Sequence, residues 1–131
     1  MGKLVNNLVL DAALQYLEDN VDWISACEGA PTTYEHAHSE KGTATGKMLA
    51  SSATPTFTGP ADDADSPYGR KTTIDEEAAV EVLQTGTADH VALCDVGSTA
   101  LLYVTTCTGQ ALTDGNTVTF PAWKITFGDP T

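Results

Sequence analysis

GTADHVALCDVGSTALLYVTTCTG, residues 86–109, holds two runs of β-branched, aromatic and small apolar residues on either side of DVGST. Such runs read as β-strands, and a Gly/Ser-containing break between them reads as the turn that joins them. Alternation along a strand then puts His90, Ala92 and Cys94 on one face and Val91 and Leu93 on the other. The question this raises is whether His90, Cys94 and Cys107 form a site or only fill strand faces.

Working outward, similar short runs recur at VDWISAC (21–27), TPTFTGP (54–60), RKTTI (70–74), AAVEVLQ (78–84) and NTVTFPAWKITF (116–127). Gly-containing turns separate them, and DGN at 114–116 is a hairpin signal. Pro121 splits the last run, so a bulge, bend or edge position is expected there. About eight strands at this spacing predict a mainly β fold, a single antiparallel sandwich or barrel, jelly-roll-like or immunoglobulin-like. One helix precedes it. LVLDAALQYLED (8–19) places Leu10, Ala13, Leu14 and Leu17 at helical spacing with Asp11, Gln15 and Glu18 opposite; Asn6 or Asn7 caps its start and Asn20 ends it. TTYEHAHS (32–39) predicts one helical turn behind a capping box of Thr32 and Glu35. GTATG (42–46) is a flexible link into KMLASS, and ADDADSPYG (61–69) reads as a solvated loop.

The 131 residues predict one domain, with an arm and helix over 1–20 and a β-domain over 21–131. Hydrophobic residues make up 41% and charged residues 18%, a globular composition. Eighteen acidic against six basic residues give a net charge of −12. Nucleic acid and anionic membranes are excluded as partners, because both need Lys and Arg to meet phosphate. The N-terminus lacks an uninterrupted apolar core and a cleavage site, so no signal peptide is expected, and Asn6 breaks the myristoylation pattern. Three cysteines, Cys27, Cys94 and Cys107, do not make a disulfide framework and point to synthesis in a reducing compartment.

Each candidate chemical site has a simpler reading. His90, Cys94 and Cys107 give an incomplete Cys₂His set without the tight cysteine knuckle of a zinc site, so the thiols read as small buried hydrophobes. His36 and His38, flanked by Glu35 and Glu40, would share a face of an extended segment but lack a defined third ligand. Asp62, Asp63 and Asp65 offer oxygens to calcium, yet Tyr68 and Ile74 stand where an EF-hand needs Gly and Glu. Glu76, Glu77 and Glu81 do not make a glycosidase pair, since neighbours on a strand point apart. Trp23, Trp123, Phe120 and Phe127 read as core rather than as a sugar-stacking platform. Nucleophile-elbow, zincin, phosphate-loop and dinucleotide motifs are missing. The expectation is no enzyme, no catalytic residues, no metal and no cofactor.

One ordered set of segments carries a resemblance. LVLDAALQYLEDNVDWISACEGAPTTYEHA, then GRKTTI, then GTADHVALCDVGSTALLYVTTCT, then ALTDGNTVTFPAWKITFGDP resembles small structural proteins of tailed bacteriophages and prophages. It is most similar to capsid decoration or cement proteins, over most of the chain and least over residues 38–65. That resemblance implies a virion protein made in the host cytoplasm, bound to the capsid exterior as a homodimer or homotrimer. It would brace neighbouring capsomers of the major capsid protein against the pressure of packaged DNA. No site residue is carried over. Residues 1–20, including the arm MGKLVNN, and an exposed sheet edge are expected to make the subunit contacts. The alternative is a tail or fibre component, a receptor- or glycan-binding module that would expose Trp23 or Trp123.

Overall fold

A computed structural model describes residues 5–41, 47–64 and 69–128. The fold is mainly β, with antiparallel sheets and one helix at the N-terminal end, as the strand spacing predicts. Two compact units form, each from several stretches of chain: 1–20, 56–76 and 121–131 in the first, 21–55 and 77–120 in the second.

In the first unit, helix α1 (Asn7–Asn20) lies with strands β3 (Phe57–Asp62), β4 (Arg70–Ile74) and β9 (Trp123–Phe127), which pair in the order β3-β4-β9. Element numbers follow chain order through both units. Asn6 starts the helix: its side-chain oxygen accepts from the Leu8 N–H at 2.8 Å, which satisfies an otherwise orphaned donor. Asn20 ends it, donating from its amide to the Tyr16 carbonyl. Leu14 and Leu17 are buried, as are Thr72 and Ile74 on β4 and Ile125 on β9. Ala13, expected on that apolar stripe, is exposed instead. Gly59 holds φ at +139°, and a Cβ there would stand 3.0 Å from the Lys71 carbonyl. Only glycine lets β3 approach β4 so closely at that irregularity in register.

The second unit is built on a four-stranded antiparallel sheet in the order β2-β1-β6-β7: β1 is Trp23–Glu28, β2 Lys47–Ala53, β6 Gly86–Asp95 and β7 Ala100–Leu112. DVGST does join β6 to β7, and the two strands pair along most of their length. KMLASS, assigned no element from sequence, becomes β2, with Met48, Leu49 and Ala50 all buried. Strands β5 (Glu77–Glu81) and β8 (Thr117–Phe120) pair as a ribbon. An antiparallel bridge from Ala50 to Val82 and bonds from the Leu83 and Gln84 N–H groups to the Leu49 carbonyl tie the ribbon to the β2 side of the sheet. The short helix α2 (Tyr34–His38) places Ala37 on a buried cluster of Cys27, Ala92 and Cys94.

Four local expectations are corrected. DGN turns the chain but closes no β7–β8 hairpin, because β7 pairs with β6 and β8 with β5. Pro121 marks more than a bulge: β8 and β9 belong to different sheets. The cap of α2 is Thr33, whose hydroxyl accepts from the His36 N–H, rather than a box of Thr32 and Glu35. ADDADSPYG is not wholly solvated, since Ala61 and Asp62 end β3 and Asp63 is buried. The link at 42–46, the arm residues 1–4, and Asp65 and Tyr68 of the calcium reading lie outside the described residues.

Candidate functional site

The β1–β6–β7 sheet decides the histidine and cysteine question. Cys94 stands opposite Trp23 and His90 opposite Cys27, in the β1–β6 register. Sharing a strand face therefore separates His90 from Cys94 by about four strand residues, roughly 13 Å. Cys107 falls in an irregular stretch where Ala88 pairs with Gln110 and His90 with Thr106. Asp89 alone thus faces Cys107, Thr108 and Gly109, and Cys107 is exposed rather than buried.

Burial pushes the Cys27 thiol up to about 11 and the Cys94 thiol up to about 12, and it raises Cys107 as well. All three therefore favour the thiol form at neutral pH, whereas a nucleophile needs the thiolate. His90 Nδ1 lies 2.7 Å from Asp89 Oδ1, and that same oxygen accepts from the Gly29 N–H at 2.7 Å. The hydrogen bond from His90, then that from Gly29, holds the Asp89 carboxyl below its usual range. The Gly29 bond ties β6 to the residue that follows β1.

His36 and His38 diverge, because the segment is helical and residues two apart on a helix point to nearly opposite sides. His36 Nε2 is 3.6 Å from Glu40, and Glu40 also pairs with Lys47 at 3.2 Å. His38 turns the other way: its ring lies 4.3 Å from that of Trp23 and stacks on Tyr34 at 4.7 Å. Trp23 donates its indole N–H to the Ala37 carbonyl at 3.0 Å. Among the described residues, no group of three His, Cys, Asp or Glu side chains is placed to hold a metal.

The acidic residues are mostly structural. Asp63, buried, accepts from Lys124 Nζ at 2.9 Å and from the Thr126 hydroxyl at 2.7 Å, two residues that alternate onto one face of β9. Arg70 on β4 donates to both oxygens of Asp11 on α1, at 2.7 and 3.1 Å, and to Asp62 at 2.8 Å. Those hydrogen bonds, Asp11 first, raise the arginine further above its normal range. Glu77 accepts from the Ser52 hydroxyl, while Glu76 and Glu81 are exposed, so the three carboxylates do not converge. Phe120 is buried and Trp23, Trp123 and Phe127 are half-buried; Trp23 and Phe120 belong to one unit, Trp123 and Phe127 to the other.

Two exposed surfaces of uncharged residues remain. The first is the far face of α1: Leu8, Val9 and Tyr16 are 76%, 63% and 54% exposed. Its signal was in the sequence, as three apolar residues off the Leu10–Leu14–Leu17 stripe. The second is β7, the last strand of its sheet, where residues 106–111 are all exposed and none of the thirteen residues of the strand is charged. No helix among the described residues is long and apolar enough to cross a membrane. The chain has no match among family models, curated proteins or solved structures.

Proposed function

We propose that this protein is a non-enzymatic virion structural protein that binds the outer surface of a tailed-phage capsid and braces neighbouring capsomers. The observation that carries this reading is the exposed, uncharged run Thr106–Ala111 on an edge strand, in a chain of net charge −12. Edge strands are ordinarily blunted with lysine, proline or a bulge. Here the bulge at Cys107–Gly109 breaks the ladder, so continuous strand addition is disfavoured. What is left is a surface of Thr, Gln and Ala side chains without charge, in keeping with the depletion of charged residues at the core of protein interfaces. The acidic remainder keeps such a protein off packaged DNA. The resemblance to decoration proteins supplies the identity of the partner, the major capsid protein. The competing glycan-binding reading needs Trp23 or Trp123 open; Trp23 is committed to Ala37 and His38, and Trp123 is half-buried.

Particles assembled with the protein should carry it in hundreds of copies on the head in a cryo-EM map. Thr108→Lys should lower occupancy at least tenfold while leaving the melting temperature within about 1 °C, as an exposed substitution should. A handful of copies at the tail, or none, would overturn the reading.

A further inference from the structure

Helix α1 has two apolar faces. Leu10, Leu14 and Leu17 form the inner one, with Leu14 and Leu17 buried. Leu8, Val9, Ala12, Ala13 and Tyr16 are all exposed and fall within an arc of about 140° at the helical 100° per residue. Asp19 and Asn20 fall in the same arc one turn further on, so its apolar part runs from Leu8 to Tyr16, and an apolar stretch of this kind on a strongly acidic protein marks an interaction surface. Its composition is symmetrical: small residues, Ala12 and Ala13, lie at the middle, and the bulky Leu8 and Tyr16 stand four residues to either side of Ala12.

We infer that this face pairs with the same face of a second copy, the two α1 helices running antiparallel about a two-fold axis near Ala12. Such an interface is isologous, so Leu8 of one copy packs on Tyr16 of the other and the reverse contact follows by symmetry. Alanine at the centre lets the helix axes approach closely, and the large side chains fill the ends. Charge favours the same arrangement. The first turn of α1 carries no acid and the last turn no base; Glu18 and Asp19 sit at its C-terminal end, against its own dipole. In the antiparallel pair each acidic end lies beside the positive N-terminal end of the other helix. A basic partner protein would match the acid too, since Asp19 keeps its charge under the neutral Gln15 amide, and a chain that stays monomeric in the test below is the outcome that favours such a partner. This self-association does not depend on the capsid reading.

A single helix face is small for an interface, so a dissociation constant of roughly 10–500 µM is expected. Sedimentation equilibrium of the full chain from 5 µM to 1 mM, in 0.5 M NaCl, should show the mass rising from monomer toward dimer. Ala12→Arg should weaken association at least tenfold with an unchanged melting curve. A second measurement uses the Cys107→Ser background: Ala12→Cys, at the axis, should form a symmetrical disulfide under mild oxidation at least ten times faster than Gln15→Cys. A wild-type chain that stays monomeric to 1 mM overturns the inference. So does equal cross-linking at the two positions, or association that Ala12→Arg leaves intact.

Discussion

The three cysteines lie in different surroundings, and their reactivity makes this testable. Cys27 and Cys94 are buried beneath Ala37 with pKa values pushed up to about 11 and about 12, while Cys107 is exposed. A thiol reagent added to the folded protein should therefore label one cysteine quickly, and the other two only on unfolding. Fast labelling of two or three would mean that α2 does not cover the sheet. Glu18 supplies a second test. Burial, then Asp19, raises its pKa above 4.5 against a smaller opposing effect of the Thr72 hydroxyl, which lies close to Glu18 but outside hydrogen-bond geometry. A raised carboxylate pKa means that the native state binds the proton more tightly than the unfolded chain. Its unfavourable contribution is absent below pH 4.5 and grows as pH rises through the folded value. Glu18→Gln should stabilise the protein at pH 7 by about 1 kcal/mol and remove this part of the pH dependence, read from denaturant melts at pH 5 and pH 7. No gain at pH 7 would show that the carboxylate is solvated. Asp63 runs the other way: Asp63→Ala removes a buried acceptor shared by Lys124 and the Thr126 hydroxyl and should cost about 1–3 kcal/mol in the same melts.

At the scale of elements, legibility followed the range of the interactions involved. The β6–β7 pair could be read because DVGST is short and both flanking runs alternate, so the turn itself selects the partner. DGN was read equally well as a turn and wrongly as a hairpin. The partner of β8 is set by bonds from Val82 N–H to the Asn116 carbonyl and from Gly115 N–H to the Val82 carbonyl, more than thirty residues upstream. Local sequence carries no trace of that pairing. The same holds for Asp63, an acid among acids until β9 brings Lys124 and Thr126 to it. Helix α1 is legible in extent and in its Leu14–Leu17 face; its exposed apolar residues are less so, because one stripe already accounts for a core. Strand β5 shows a further local conflict: Ala79, exposed, holds φ at +56° where the β5–β8 register shifts. An L-residue is strained in that region. Ala79→Gly should raise stability by roughly 0.5–1 kcal/mol despite the extra freedom it adds to the unfolded chain; a loss of stability would place Ala79 outside the left-handed region.

At the scale of the molecule, the governing quantity is the excess of twelve negative charges. Lys47, Arg70 and Lys124 are each drawn onto carboxylates, Glu40, Asp11 with Asp62, and Asp63. Six cations cannot neutralise eighteen anions, so repulsion among the remaining carboxylates opposes the compact state. Added salt screens that repulsion within a Debye length of about 10 Å at 0.1 M and about 3 Å at 1 M. It also weakens the exposed ion pairs, but those contribute at most about 1 kcal/mol each, and the Lys124–Asp63 pair is shielded by the burial of Asp63. Repulsion summed over the whole surface therefore outweighs the loss of a few pairs. Raising NaCl from 20 to 500 mM at pH 7 should increase the melting temperature by about 2–5 °C, at a protein concentration low enough that no dimer forms. A fall in melting temperature over that range would mean that the ion pairs, and not the net charge, dominate the electrostatics of the folded state.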